Sequence, residues 1–214
     1  MRRSTLSAPR STPGRDLPAR VVVLASGVGS LLGSLVEAAS APEFPAEVVA
    51  VVVDRPCGAE SAGLPSRRVA VSDHGSRAEW DAALTEVVDS WSPDLVVSAG
   101  FMRILGPVFL ARFGGRIVNT HPALLPSFPG AHAVADALAH GVKVSGSTVH
   151  LVDGGVDTGP IVAQEAVPVL DGDTEESLHE RIKIVERRLL IDVVAAVATR
   201  GVITDGRKAQ IPSD

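Results

Sequence analysis

The sequence predicts an α/β fold: a doubly wound, mostly parallel open sheet with an antiparallel C-terminal hairpin and a long C-terminal helix. Three observations predict it. Continuous apolar runs rich in valine recur along the first half of the chain and alternate with helical patterns, as expected for parallel strands buried on both faces and joined by crossover helices. A glycine-rich turn follows the first of these runs directly and leads into a helix, which makes that half Rossmann-like. Two extended segments between residues 144 and 169 then succeed one another with no helix between them, so the sheet should end antiparallel.

The elements follow in order. Val21 to Ala25 reads as a buried strand, Ser26 to Ser30 as a turn, and Leu31 to Ala39 as a helix. Val48 to Val53 is a second buried strand ending at Asp54, and Arg68 to Val71 a weaker one. Ser76 to Trp91 is helical, with Trp80, Leu84, Val87 and Val88 on one face. Leu95 to Val97 is a strand that ends at Gly100, and Arg116 to Val118 a short strand leading into Asn119. Ala131 to His140 is a helix, and Val144 to Val152 with Pro160 to Val169 form the hairpin. The last helix starts with Asp173 as its N-cap and runs to Arg200, stopping at Gly201. Beyond it only Asp205-Gly206 stands out, as a turn.

The chain has 214 residues, 45% of them hydrophobic but only 3% aromatic and none tyrosine, so its core must be aliphatic. Residues 1–19 are rich in Arg, Ser and Pro and are expected to form a disordered arm, with residues 20–214 as a single domain. The arm has no apolar stretch of a secretory signal, and no run in the chain is long enough to span a membrane; a cytoplasmic location is expected. A net charge of -5 argues against nucleic acid as a partner. Lone Cys57 is read as an unreactive thiol.

Chemistry concentrates in two segments about thirty residues apart: Asn119-Thr120-His121-Pro122, and Ser145 to His150 running on through Asp153 and Asp157 to Gln164. An amide can donate to a developing oxyanion, an imidazole can carry a proton near neutral pH, and a carboxylate can favour the charged ring. No Ser or Cys nucleophile accompanies them, which points to proton management around a carbonyl. His121 is placed on a loop after a strand end; His150 reads equally as a core ring or a direct participant. His74, His132, His140 and His179 are assigned to the surface. The segment from Asp153 to Gln164 fails as a calcium loop, and no residue set has zinc spacing, so no metal is expected. The turn Gly27-x-Gly29, with Gly33 in the following helix, suits an anion at a helix N-terminus. With Asp54 it also mimics a dinucleotide fingerprint, which keeps a nicotinamide-dependent oxidoreductase as an alternative.

Gly100-Phe101-Met102-Arg103-Ile104-Leu105, Asn119-x-His121-Pro122 and the stretch from Ser145 through Asp157 to Gln164 resemble the formyltetrahydrofolate-dependent formyltransferases, from about Val21 to Val194. That resemblance implies transfer of a formyl group from the co-substrate 10-formyltetrahydrofolate to the amine of glycinamide ribonucleotide, in purine biosynthesis, through a tetrahedral intermediate. Asn119, His121 and Asp157 match the family's catalytic set. Gly29, Ser30, Leu31, Leu32 and Gly33, with Lys183 and Glu186, match its ribonucleotide site. Arg77, Met102, Arg103, Ile104, Leu105, Asn119, Asp153, Gly154, Gly155, Val156 and Asp157 match its folate site. The family usually carries Asn where this chain has Leu31, and a polar residue where it has Val28. Small-molecule substrates are the partners implied, with a homodimer left open. Alternatives within the same superfamily are a formyltetrahydrofolate hydrolase, which carries an extra N-terminal domain for which residues 1–20 are too short, and a methionyl-tRNA formyltransferase, which carries an extra C-terminal domain. A non-catalytic folate-binding module is the third.

Overall fold

A computed structural model describes residues 18–213. The expected N-terminal arm thus lies, but for its last two residues, outside the described part. Nine strands form one sheet: β1 (Ala19–Ala25), β2 (Ala46–Val53), β3 (Ser66–Arg68), β4 (Leu95–Ser98), β5 (Ile117–His121), β6 (Val144–Leu151), β7 (Ile161–Pro168), β8 (Ile203–Asp205) and β9 (Lys208–Gln210). Five helices connect or cover them: α1 (Ser30–Ala39), α2 (Arg77–Asp89), α3 (Pro107–Phe113), α4 (Ala133–Ala139) and α5 (Glu175–Arg200). The strand order is β3-β2-β1-β4-β5-β6-β7-β9-β8. β3, β2, β1, β4 and β5 run parallel, while β6 pairs antiparallel with both β5 and β7. The fold is therefore the mostly parallel open sheet with an antiparallel C-terminal end and a long last helix.

The valine runs are explained by two hydrophobic layers. Val21 and Val23 of β1 pack with Leu32 and Leu35 of α1 and with Leu190, Val193 and Val194 of α5. Val22 and Leu24 face the other way, onto Trp80 and Leu84 of α2 and Phe109 and Phe113 of α3. Strand residues alternate between the faces, so a strand covered on both must be apolar throughout. Strand order reverses between β1 and β4, and a crevice at such a reversal, outside the carboxyl ends of the strands, is where ligands bind in open α/β sheets.

Several elements depart from the sequence reading. The strand placed at Arg68 to Val71 is Ser66–Arg68, and residues 71–73 form a tight 3₁₀ turn. Val69 turns inward instead, where its carbonyl takes the Trp80 indole N–H at 2.9 Å. The N-cap of α5 is Thr174, whose hydroxyl accepts from the Ser177 N–H; Asp173 stands one residue outside and is gripped by Arg181 at 2.7 Å. His121 is the last residue of an interior strand, not part of a loop, and is buried. α3 and the β8–β9 hairpin are additional elements. Of the four histidines assigned to the surface, His132 and His140 are exposed, and His74 and His179 are half-buried.

Candidate active site

β5 ends at the carboxyl edge of the sheet and presents two side chains on one face, Asn119 and His121, with Thr120 turned to the other. The antiparallel register sets Asn119 opposite His150 and His121 opposite Thr148. Directly opposed residues share a face. The Asn119 amide nitrogen accordingly lies 3.1 Å from His150 Nε2. His150 Nδ1 donates to the Leu151 carbonyl at 2.9 Å; Nε2 donates to the Asp157 carboxylate when the ring is protonated and accepts from the Asn119 amide when it is neutral. One amide N–H is spent on this bond, and the second remains to be directed elsewhere.

Asp157 enters from the loop between β6 and β7. Its carboxylate lies between the two rings, Oδ2 3.3 Å from His121 Nδ1 and Oδ1 3.5 Å from His150 Nε2. Oδ2 also accepts the Gly130 N–H at 2.8 Å. Asp157 has φ +52°, a left-handed conformation that aspartate tolerates better than most residues. The His150 ring, then the Gly130 N–H and the His121 imidazole, hold this carboxyl below its ordinary range against the upward pull of burial.

His121 Nε2 donates to the Phe128 carbonyl at 2.7 Å. Both ring nitrogens therefore face acceptors, which suits the doubly protonated ring. Burial nevertheless pushes the imidazole below its ordinary range; Asp157 and the Phe128 carbonyl pull upward, and the His150 ring adds to the downward push. The sequence reading had Asp157 raising this ring into its charged form; in the free protein desolvation outweighs the carboxylate. The result is a ring shaped to hold a second proton and reluctant to keep it until negative charge develops beside it.

The loop carrying Phe128 is fastened by groups the sequence reading left unassigned. Thr148 Oγ1 donates to the Ala123 carbonyl at 2.6 Å and accepts the Leu125 N–H at 3.1 Å. Gln164 bonds both Thr148 Oγ1, at 2.9 Å, and the Leu125 carbonyl, at 2.8 Å. Gly146 allows this approach, since a side chain there would collide with Leu124.

The remaining predicted residues fall into two groups. At the start of α1, Gly29 adopts φ +82° with its Cα hydrogens against Ala59, a conformation and a clearance that both favour glycine. The first-turn N–H groups of Ser30, Leu31 and Leu32 precede the first intrahelical bond, from Gly33 to Gly29, so they point outward as donors. The Leu32 side chain is buried and the Leu31 side chain packs on the core, so both offer only backbone to a ligand. Lys183 and Glu186 lie on α5, which packs on α1. Lys183 is ion-paired with Glu180 at 2.7 Å. Glu186 is buried, and burial raises its pKa, opposed by a hydrogen bond from Thr120 and by Lys183 and Arg187.

The second group surrounds the segment between β4 and α3. Met102 and Ile104 are largely exposed, Arg103 is partly so and Leu105 is buried. Arg77 donates to the Ile104 carbonyl at 2.6 Å while lying over the Trp80 ring. In the loop after β6, Asp153 accepts from Gly155 N–H and Thr158 Oγ1, at 3.0 and 2.6 Å, and Gly154 and Val156 are exposed. Asp54, the acidic residue of the dinucleotide-like pattern, has a fully covered carboxylate held by Arg103 at 2.6 Å. It cannot reach a ribose hydroxyl, which removes the main support for a nicotinamide site.

An open, mostly parallel sheet with an Asn, two His and an Asp converging near its carboxyl edge, and no nucleophile among them, suits acyl-type transfer by proton management. The chain belongs to the formyl transferase family, whose model matches residues 19–194. It is 65% identical over 196 residues to the phosphoribosylglycinamide formyltransferase of Mycobacterium tuberculosis, covering 90% of this chain and 91% of that protein. Glycinamide ribonucleotide transformylase 1 from Symbiobacterium toebii superposes with a TM-score of 0.88 at 40% identity, covering 92% and 95% of the two chains. A formyltetrahydrofolate deformylase from Pseudomonas syringae superposes with a TM-score of 0.84 at 27% identity, covering 92% of this chain and 67% of that one.

Glu186 carries a stability prediction. Its folded pKa lies above the unfolded value, so between the two the folded chain binds more protons, and stability falls as pH rises through that window. Glu186→Gln cannot ionise. Its melting temperature should gain on the parent's as pH rises above the ordinary glutamate range, a trend read by thermal unfolding across a pH series. A constant difference would show that the buried carboxyl does not titrate there.

Proposed function

We propose that this protein transfers the formyl group of 10-formyltetrahydrofolate to the amine of glycinamide ribonucleotide. The observation that carries the reading is the Asp157 carboxylate set between His121 and His150 beside Asn119, in a chain 65% identical to a protein of that activity. Residues 102–105 and the loop 153–157 take the folate. The first turn of α1, with Lys183 and Glu186, takes the phosphorylated ribose.

The amine attacks the formyl carbon and a C–N bond forms. The carbonyl oxygen becomes an oxyanion, held by the free N–H of Asn119 and balanced by positive charge on the His121 ring. Negative charge at that point supplies what burial withholds from the ring, so His121 takes the proton that the attacking nitrogen gives up as the intermediate forms, with Asp157 opposite Nδ1. That proton passes from His121 to the folate nitrogen, the bond from carbon to that nitrogen breaks, and tetrahydrofolate leaves. The order of charges requires no metal. Asp157 aligns both rings and organises the proton path.

Acceptor dependence is the direct test. Tetrahydrofolate release should require glycinamide ribonucleotide; equal release without it would assign water as the acceptor and place the chain with the deformylase.

Lys183 supplies a second check on the ribonucleotide half. Leu31 leaves the phosphate without the side-chain amide found in the family, so the site depends on backbone N–H groups and on Lys183. Lys183→Ala should raise the KM for ribonucleotide about tenfold and leave the KM for folate near that of the parent. Steady-state kinetics varying each substrate separates the two, and equal losses would make Lys183 a structural residue.

A further inference from the structure

The segment from Phe101 to Gly106 has no regular secondary structure, so side chains must hold its backbone in place. On the α2 side, Arg77 takes the Ile104 carbonyl, and Asp81 accepts the N–H groups of Gly106 and Val108 at 2.9 and 2.8 Å. On the other side the anchor is Asp54, at the carboxyl end of β2. Its carboxylate is fully covered, a state that is costly unless the charge is paired. Arg103 Nε donates to Oδ2 at 2.6 Å, and Arg55 reaches both oxygens at 3.3 Å. The Ser26 hydroxyl, just past the end of β1, accepts the Met102 N–H at 2.9 Å. The Ser26 N–H in turn donates to the Gly100 carbonyl at 3.2 Å.

We propose that Asp54 is a positioning residue for the folate donor: its buried carboxylate holds Arg103 directly, beside the Ser26 anchor of the Met102 N–H, and thereby sets the backbone of residues 102–105. The inference rests on the reading that this segment binds folate. It gives a job to an acidic residue that sequence pattern alone would assign to a nucleotide ribose. It also ties the folate segment to the ends of β1 and β2, next to the turn that opens the ribonucleotide site.

The test measures tetrahydrofolate binding by calorimetry, alongside the KM for each substrate. Asp54→Asn keeps the side-chain shape and removes the charge. Loss of a charge-assisted hydrogen bond should weaken folate binding and raise the folate KM roughly ten- to hundredfold, with the ribonucleotide KM and kcat little changed. Arg103→Met, at a partly exposed residue of the folate segment itself, breaks the same link and should weaken folate binding likewise, so it serves as the test if Asp54→Asn does not fold. Because both act through one link, the double variant should bind folate no more weakly than the poorer single variant. Unchanged folate binding in both variants, equal losses in the two KM values, or additive effects in the double variant would overturn the proposal. A parent protein that binds no tetrahydrofolate would overturn the underlying reading of the segment and this inference with it, a result distinct from a parent that binds and variants that bind equally well.

Discussion

His121→Ala is expected to lower kcat by about 10²–10⁴-fold, the usual contribution of a positioned acid–base group. The ring is buried at the end of β5, with Nε2 fixed on the Phe128 carbonyl and Nδ1 facing Asp157. Its removal takes away the group that takes up a proton and answers the developing charge. Alanine at a strand end leaves the ladder intact, so circular dichroism should still report a folded sheet. Near-parent turnover in a folded variant would remove His121 from the mechanism. His150→Ala is the informative contrast: this ring bonds the Leu151 carbonyl and the Asn119 amide, so its loss should disturb packing as well as chemistry.

Asp157→Asn should be the next most damaging change, lowering kcat by about 10²–10³-fold, the scale of a lost electrostatic contact in the transition state. The amide keeps the shape and can still accept the Gly130 N–H, but it no longer draws the His121 ring toward its charged form. Because burial already pushes that ring below the ordinary histidine range and Asp157 pulls it back, removing the carboxylate must lower its pKa further. The acid limb of the kcat profile assigned to His121 should move to lower pH. Ribonucleotide KM should hold. An unchanged kcat with an unshifted profile would reduce Asp157 to a residue that shapes its loop.

What the sequence made legible, and what it hid, follows the range of the interactions. β1 and β2 were readable because strands buried on both faces must be apolar at every position, a purely local constraint. Asn119, His121 and Asp157 stood out because unusual polar residues cluster on turn-rich segments. β3 was misplaced because Val69, although apolar, serves the core beneath α2 and not the sheet edge. α3 went unread because it is seven residues long and its N-terminus is capped by Asp81, 25 positions away, although Gly106-Pro107 at its start was a usable signal. The role of Asp54 depends on Arg103, 49 positions on, while its spacing from the glycines imitates a different site. The Phe128 carbonyl is backbone and has no side-chain signature at all; only the prolines and glycine around it marked a bend. Burial of His121, which reverses the expected direction of its pKa, is a property of the assembled sheet.

The central claim is direct transfer of the formyl carbon between two nitrogens at this site. It is tested most directly by following a ¹³C-labelled formyl group of 10-formyltetrahydrofolate by NMR in the presence of glycinamide ribonucleotide. The label is expected as a formamide on the ribonucleotide amine, one for each tetrahydrofolate released, and His121→Ala should slow its appearance without creating another signal. Label recovered as free formate, at the same rate with and without the ribonucleotide, would contradict it.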